Sequence, residues 1–334
     1  MFISILIFGF LFGLILRYAS LNKYNTISGM ATLDDLTVAK AIAVAIGLGA
    51  ILLNIEIGLG FASFHVKPLI LGGIVIGGIL FGTGMAILGY CPGTLAISLG
   101  EGSLDALAGI IGGLIGGLVF TLVLPAIKGI LGPDLGAISL QTLIPSKVAF
   151  YVILIILGVV FIGVAFWLHR FEKQKNYRWL IAGILLAVLN TVVFSHVASD
   201  RPIGASTTYP YLADLLAGFT QNDYFGKIQK PGHWELIFLG GAFLAGLIGS
   251  LVTKTFRVKM VHENWEKYRG TSNVQRAIWA FIGGFILIFG ARMAGGCTSG
   301  HVISGGMQLA VSSLLFAAVV FGSLLITGKI FYKS

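Results

Sequence analysis

The sequence predicts an all-α polytopic membrane protein of about nine spans, built as two inverted repeats whose broken helices meet at the centre. Three observations predict it. The chain is 57% hydrophobic and 10% charged, with a mean hydropathy of +0.95, whereas a soluble domain carries about 25% charged residues. Apolar segments of near-spanning length recur along it between short polar loops. One glycine- and cysteine-bearing pattern also occurs twice at a fixed offset.

A span needs about 20 mostly apolar residues. The first segment, about 1–17, is short and closes on Arg17 and the polar run Ser20 to Ser28. It lacks a basic leader and a small-residue cleavage site, so it reads as a span and not as a removed signal. The second is about 37–55, left through Asn54, Glu56, His65 and Lys67, a group that reads as a solvated mouth. Pro68 opens the third, about 69–100, which is too long for one straight span and breaks around Gly89–Gly93. The fourth, about 104–125, closes at Pro125, and Gly132, Pro133, Asp134 and Pro145 make a loop. The fifth is about 147–168 and the sixth about 179–198. A polar stretch then runs from Asp200 to His233. The seventh is about 234–253, the eighth about 277–306 with a break at Gly295–Gly300, and the ninth about 308–328.

Charge sets the expected orientation. The formal net charge is +9, but the basic residues sit in loops between apolar segments, which argues for a topology signal and against nucleic-acid binding. Arg170, Lys173, Lys175 and Arg178 outnumber Glu172 after the fifth segment. Lys254, Arg257, Lys259, Lys267, Arg269 and Arg276 outnumber Glu263 and Glu266 after the seventh. Both loops are expected in the cytoplasm, with the C-terminus, marked by Lys329 and Lys333. Nine single crossings then put the N-terminus outside. The third segment runs inward and the eighth outward. The expected organisation is a first repeat at 1–146, a linker helix at 147–175 and a second repeat at 176–334, forming one membrane domain.

The two cysteines are the chemistry-bearing residues. A shift of 206 positions carries Cys91 onto Cys297, Gly77-Gly78 onto Gly283-Gly284, Gly84 onto Gly290, Gly89 onto Gly295, Ser98 onto Ser304 and Gly100 onto Gly306. Matching broken helices in two repeats point to a transporter's binding site. Pro92 suits the first position of a helix, so Cys91 is expected just before a short helix, with Gly93 and Thr94 in its first turn. Free N–H groups at such a start favour an anion and a thiolate. Gly295, Gly296, Cys297, Thr298, Ser299 and Gly300 are expected to act alike, with Thr298 and Ser299 as side-chain donors. Arg292 and His301 flank the second motif, and ionisable residues inside a membrane segment mark functional sites. Arg292 also reads as a snorkelling or ion-paired side chain, and His301 as a packing histidine. The cysteines themselves also read as small buried apolar residues. No cofactor and no metal site are expected, since the sulfurs have only His301 as an obvious nitrogen nearby.

The Gly-Tyr-Cys-Pro-Gly-Thr run at 89–94 and the Gly-Ala-Arg-Met-Ala-Gly-Gly-Cys-Thr-Ser-Gly-His run at 290–301 resemble those of the YeeE/YedE family of inner-membrane proteins. The resemblance implies an hourglass of helical repeats, uptake of thiosulfate or a related sulfur compound, and Cys91 and Cys297 as central cysteines of the path. Thiosulfate-transporting members carry a further cysteine in the loop after the first span. Here Tyr18-Ala19-Ser20-Leu21-Asn22-Lys23 has none, so Ser20 or Asn22 would stand at that station of a thiol-to-thiol relay. The expected partners are thiosulfate or a related sulfur oxyanion and the lipid bilayer, with a cytoplasmic sulfurtransferase or sulfur-carrier protein as a further candidate and no nucleic acid. A membrane enzyme that passes sulfur between the cysteines, and a channel or exporter for another solute, are competing readings.

Overall fold

The computed structural model describes residues 2–172 and 176–333, so Lys173 and Lys175 of the basic loop lie outside the described residues. It is helical, and the β-bridges among those residues are isolated pairs. Among the described residues, seven helices are long and apolar enough to cross a membrane. These are α3 (Thr37–Gly58), the broken pair α4 (Leu71–Leu88) and α5 (Pro92–Gly100) taken as one segment, α6 (Leu104–Leu131), α8 (Lys147–His169), α11 (Asp223–Val252), α13 (Asn273–Met293) and α14 (Val311–Lys333). Two further apolar helices, α1 (Phe2–Tyr18) and α9 (Arg178–Phe194), have 17 residues each. At about 1.5 Å per residue they reach about 25 Å, short of the roughly 30 Å hydrocarbon layer.

Short helices fill the connections: α2 (Tyr24–Thr32), α7 (Leu140–Leu143), α10 (Thr208–Leu216), α12 (Glu263–Arg269) and a π-helix, π1 (Thr298–Gly305). The polar stretch from Asp200 to His233, expected as a connection, contains α10 and the first turns of α11. Asn222 caps α11, its side chain accepting from the Phe225 amide at 2.8 Å, and Phe225 and Ile228 bury against Tyr211. The helix continues through Pro231.

Close approach of backbones, made possible by glycine, holds the centre together. α4 lies antiparallel on α13: Gly73 abuts Met293, Gly77 abuts Gly290, and Gly84 abuts Leu287 and Gly283. A Cβ on Gly77 would sit 2.6 Å from the Gly290 carbonyl, and one on Gly290 2.6 Å from the Phe81 amide. α6 packs on α13 in the same way, and α14 packs on α4. In a bilayer lipid is as apolar as leucine, so such small-residue contacts are what draw helices together.

Several buried charges are paired. Arg276, with no exposure, holds Asp105 at 2.7 Å and donates to the carbonyls of Ile87 and Leu88 at the end of α4. Asp105 also meets His262 at 3.1 Å, and Tyr90 meets His262 at 3.0 Å. Glu101 takes Arg17 at 3.0 Å and Lys23 at 2.7 Å. Lys40, fully buried, pairs with Glu172.

Candidate functional site

Each cysteine caps a short helix after a broken one. α4 ends where Gly89 turns to φ +74°, a left-handed conformation that glycine adopts without penalty. A Cβ there would also strike the Tyr24 ring. Cys91 is extended and is the N-cap of α5, with Pro92 in the first turn. The Cys91 amide donates to the Thr94 hydroxyl at 2.8 Å, and that hydroxyl donates to the Cys91 carbonyl at 3.0 Å. In the other half, α13 ends at Met293 and Gly295 turns at φ +76°. Cys297 is extended and caps π1. Its sulfur lies 3.2 Å from the Ser299 hydroxyl. π-Helical turns are rare and occur often at functional sites.

The two caps meet. The Thr298 side chain lies beside the Cys91 thiol, and the two thiols are near enough to interact electrostatically. Tyr209 of α10 is within electrostatic reach of both thiols, and its hydroxyl donates to the Pro92 carbonyl at 3.0 Å. Cys297 is 1% exposed and Cys91 partly so. Gly93 lies against Phe12 and Ala205. A cavity of about 10 Å³ touches Ser299, between Phe12, Asn190 and Ile203, which is room for about one water.

Positive charge gathers on the side of the 59–70 connection. Lys67 donates to the Gly295 carbonyl, and a Cβ on Gly296 would strike its ammonium. Burial lowers the Lys67 pKa to about 8, helped by the Arg292 charge and opposed by Cys297 and Glu235. Arg292 donates to the Tyr224 hydroxyl at 2.8 Å, Thr207 at 3.1 Å and Ser206 at 3.3 Å. Among the described residues no carboxylate lies within ion-pair distance of it. Arg201 stacks over Trp234 at 4.3 Å and holds Glu235 at 3.3 Å. Glu235 also accepts from the Thr207 amide at 2.7 Å.

Other expected residues play different parts. His301 is fully buried, with Nε2 on the Ala294 carbonyl at 2.8 Å and Nδ1 on the Ser313 hydroxyl at 2.9 Å. A carbonyl only accepts, so Nε2 carries the proton and Nδ1 accepts from Ser313. His301 therefore ties the turn before Cys297 to α14. Gly300 faces Lys67 from across the turn. Lys67, expected as part of a solvated mouth, reaches 228 positions along the chain to the second motif. Sequence reasoning also passed over Tyr209, Arg201, Glu235 and Arg276. Tyr209 lies in a stretch read as loop, and the charged residues carry no local motif. On the opposite side, a cavity of about 390 Å³ reaches Tyr90 and Ser98 from the 254–263 connection, between Lys23, Glu101, Arg257 and His262.

This geometry defines a multi-pass membrane protein with two capped thiols in its interior. The chain belongs to the sulphur transport family, whose model matches residues 24–326. It is also similar to the thiosulfate transporter TsuA of Spirochaeta thermophila, with 26% identity over 333 residues and 93% of each chain covered. The family and this relative are transporters and not enzymes.

Proposed function

We propose that the protein takes up thiosulfate, or a related small sulfur-containing anion, across the cytoplasmic membrane by a central path past Cys297 and Cys91. The observation that carries this reading is the Thr298 contact with the Cys91 thiol, which joins the starts of two short helices. Free amides at those starts favour an anion, and thiol and hydroxyl groups add weak donors. Lys67 and Arg292 draw the anion to the Cys297 side. Several weak sites in series suit passage, since one tight site would hold the ion. Similarity to a thiosulfate transporter supports thiosulfate as the substrate. The cytoplasmic end would be the basic 254–272 side, with the N-terminus outside, and a sulfur-carrier protein could be received there.

An inverted repeat accounts for the helix order. The first repeat would run to residue 146, α8 would be the linker, and the second repeat would begin with α9. One fact supports this: the contact of Gly77 with Gly290 has its exchanged counterpart in Gly283 with Gly84, as the 206-residue shift requires of an antiparallel pair about a two-fold.

The test is growth of a sulfur-uptake-deficient bacterium expressing this chain on one sulfur source at a time. Growth on thiosulfate supports the reading. Growth on none of the sulfur oxyanions, with the protein present in the membrane, contradicts it.

A further inference from the structure

Asp214 of α10 has no exposure. The Thr121 hydroxyl donates to its Oδ2 at 3.0 Å. Its Oδ1 is buried and has no hydrogen-bond partner among the described residues. Nor is any Lys, Arg or His there within ion-pair distance of it. The other buried carboxylates, Glu101, Asp105 and Glu235, each hold an arginine. A carboxylate without a counter-charge is stabilised by protonation.

The helices packed against α10 are α6 and α11. α6 brings Asp105 and Lys128, and α11 brings Asp223, Tyr224, Lys227, Lys230, His233 and Glu235. Of these, Tyr224 feels the Asp214 charge, and Tyr224 is the residue that holds Arg292. His233 meets α10 at Tyr211, 3.4 Å away.

We propose that Asp214 is a proton-binding site linked to anion occupancy at Arg292, so that the protein takes up a proton when the anion binds. The inference rests on the anion-transport reading above. Tyr224 is the connection. With Asp214 ionised, its negative charge opposes an anion on the far side of Tyr224. Protonation of Asp214 removes that opposing charge. Linkage makes the effect reciprocal: acid tightens anion binding, and the anion raises proton affinity. Burial raises the Asp214 pKa to about 6, against the Thr121 bond that lowers it. The site therefore empties as pH rises through about 6, and anion affinity falls with it. At pH 6 Lys67 is already charged and adds no proton.

The experiment is calorimetric titration of the purified full chain with sodium thiosulfate at pH 6, in buffers of different ionisation enthalpy, with affinity followed from pH 5 to pH 7. The wild type is expected to take up a fraction of one proton and to lose affinity by about tenfold over that range. Asp214→Asn is expected to bind with no proton uptake at pH 6, and His233→Gln to behave as wild type. Should Asp214→Asn not fold, Thr121→Val removes the bond favouring the ionised form and should move the profile to higher pH. Unchanged proton uptake in Asp214→Asn, or an unmoved profile in Thr121→Val, overturns the proposal. No thiosulfate binding by the wild type at any pH overturns the substrate reading, and this inference with it.

Discussion

The Thr298 side chain meets the Cys91 thiol although 206 residues separate the two cysteine motifs in sequence. The contact places both cysteines in one site and gives the junction between the broken helices a hydroxyl from one half and a sulfur from the other. A hydroxyl–thiol contact of this kind contributes at most about 0.5–1.5 kcal/mol. Thr298→Val keeps the shape and removes the hydroxyl, so uptake should fall by up to about tenfold. Initial-rate uptake at matched membrane abundance checks this; an unchanged rate would remove Thr298 from the path.

Lys67 predicts a pH dependence of its own. Its pKa is lowered to about 8, so its charge is fully present below that pH and is lost as pH rises through it. Attraction for an anion should weaken on the alkaline side of about pH 8. Lys67→Gln should bind the anion more weakly at pH 7 and show no further loss between pH 7 and pH 9. Affinity measured across that range decides it, and an alkaline loss that persists in Lys67→Gln points to another group.

The glycine contacts of α4 and α13 predict a packing defect. A side chain at Gly77 or Gly290 meets backbone and not a flexible side-chain end. Overpacking of this kind costs about 1–3 kcal/mol. Gly77→Val and Gly290→Val should each lower the thermal midpoint in detergent. Gly163, inside α8, has open space around its Cβ position, so Gly163→Ala should not lower the midpoint. Equal midpoints for all three would contradict the packing account.

Asp105 and Arg276 are both fully buried, and removing one leaves the other charge without its partner. Breaking such a pair costs about 3–5 kcal/mol. Asp105→Asn should destabilise the fold strongly and free the end of α4, whose carbonyls Arg276 holds. Thermal unfolding and protease sensitivity of the 254–262 connection measure it. A wild-type midpoint would show that the pair does not hold this corner.

The spanning segments are legible because hydropathy needs no knowledge of partners. The break at Gly89–Pro92 is legible because glycine ends one helix and proline can begin the next. What escapes is the polar material lying inside the molecule. α10 and the first turns of α11 carry Thr, Tyr, Asp and Lys, so composition reads them as loop, yet Tyr209 and Phe225 are buried. Arg292 stands beside the Cys297 motif in sequence, but Lys67 is a lone charge that only the fold brings to the Cys297 turn. His301 is visible as a buried ionisable group, but its role depends on Ser313 and Ala294, which no local spacing indicates.

Uptake of a doubly charged anion works against the membrane potential, at about 2.3 kcal/mol per charge for each 100 mV. On the proposed uptake a driving process is required, and the proton link proposed at Asp214 would offset one of the anion's two charges. The account depends first on the two thiols, whatever the driving process. Its most direct test is entry of ³⁵S-labelled thiosulfate into proteoliposomes carrying the wild type, Cys91→Ala or Cys297→Ala. The account predicts intact labelled ion inside the vesicles for the wild type and loss of entry in both variants, each still folded. Wild-type entry in both would contradict it.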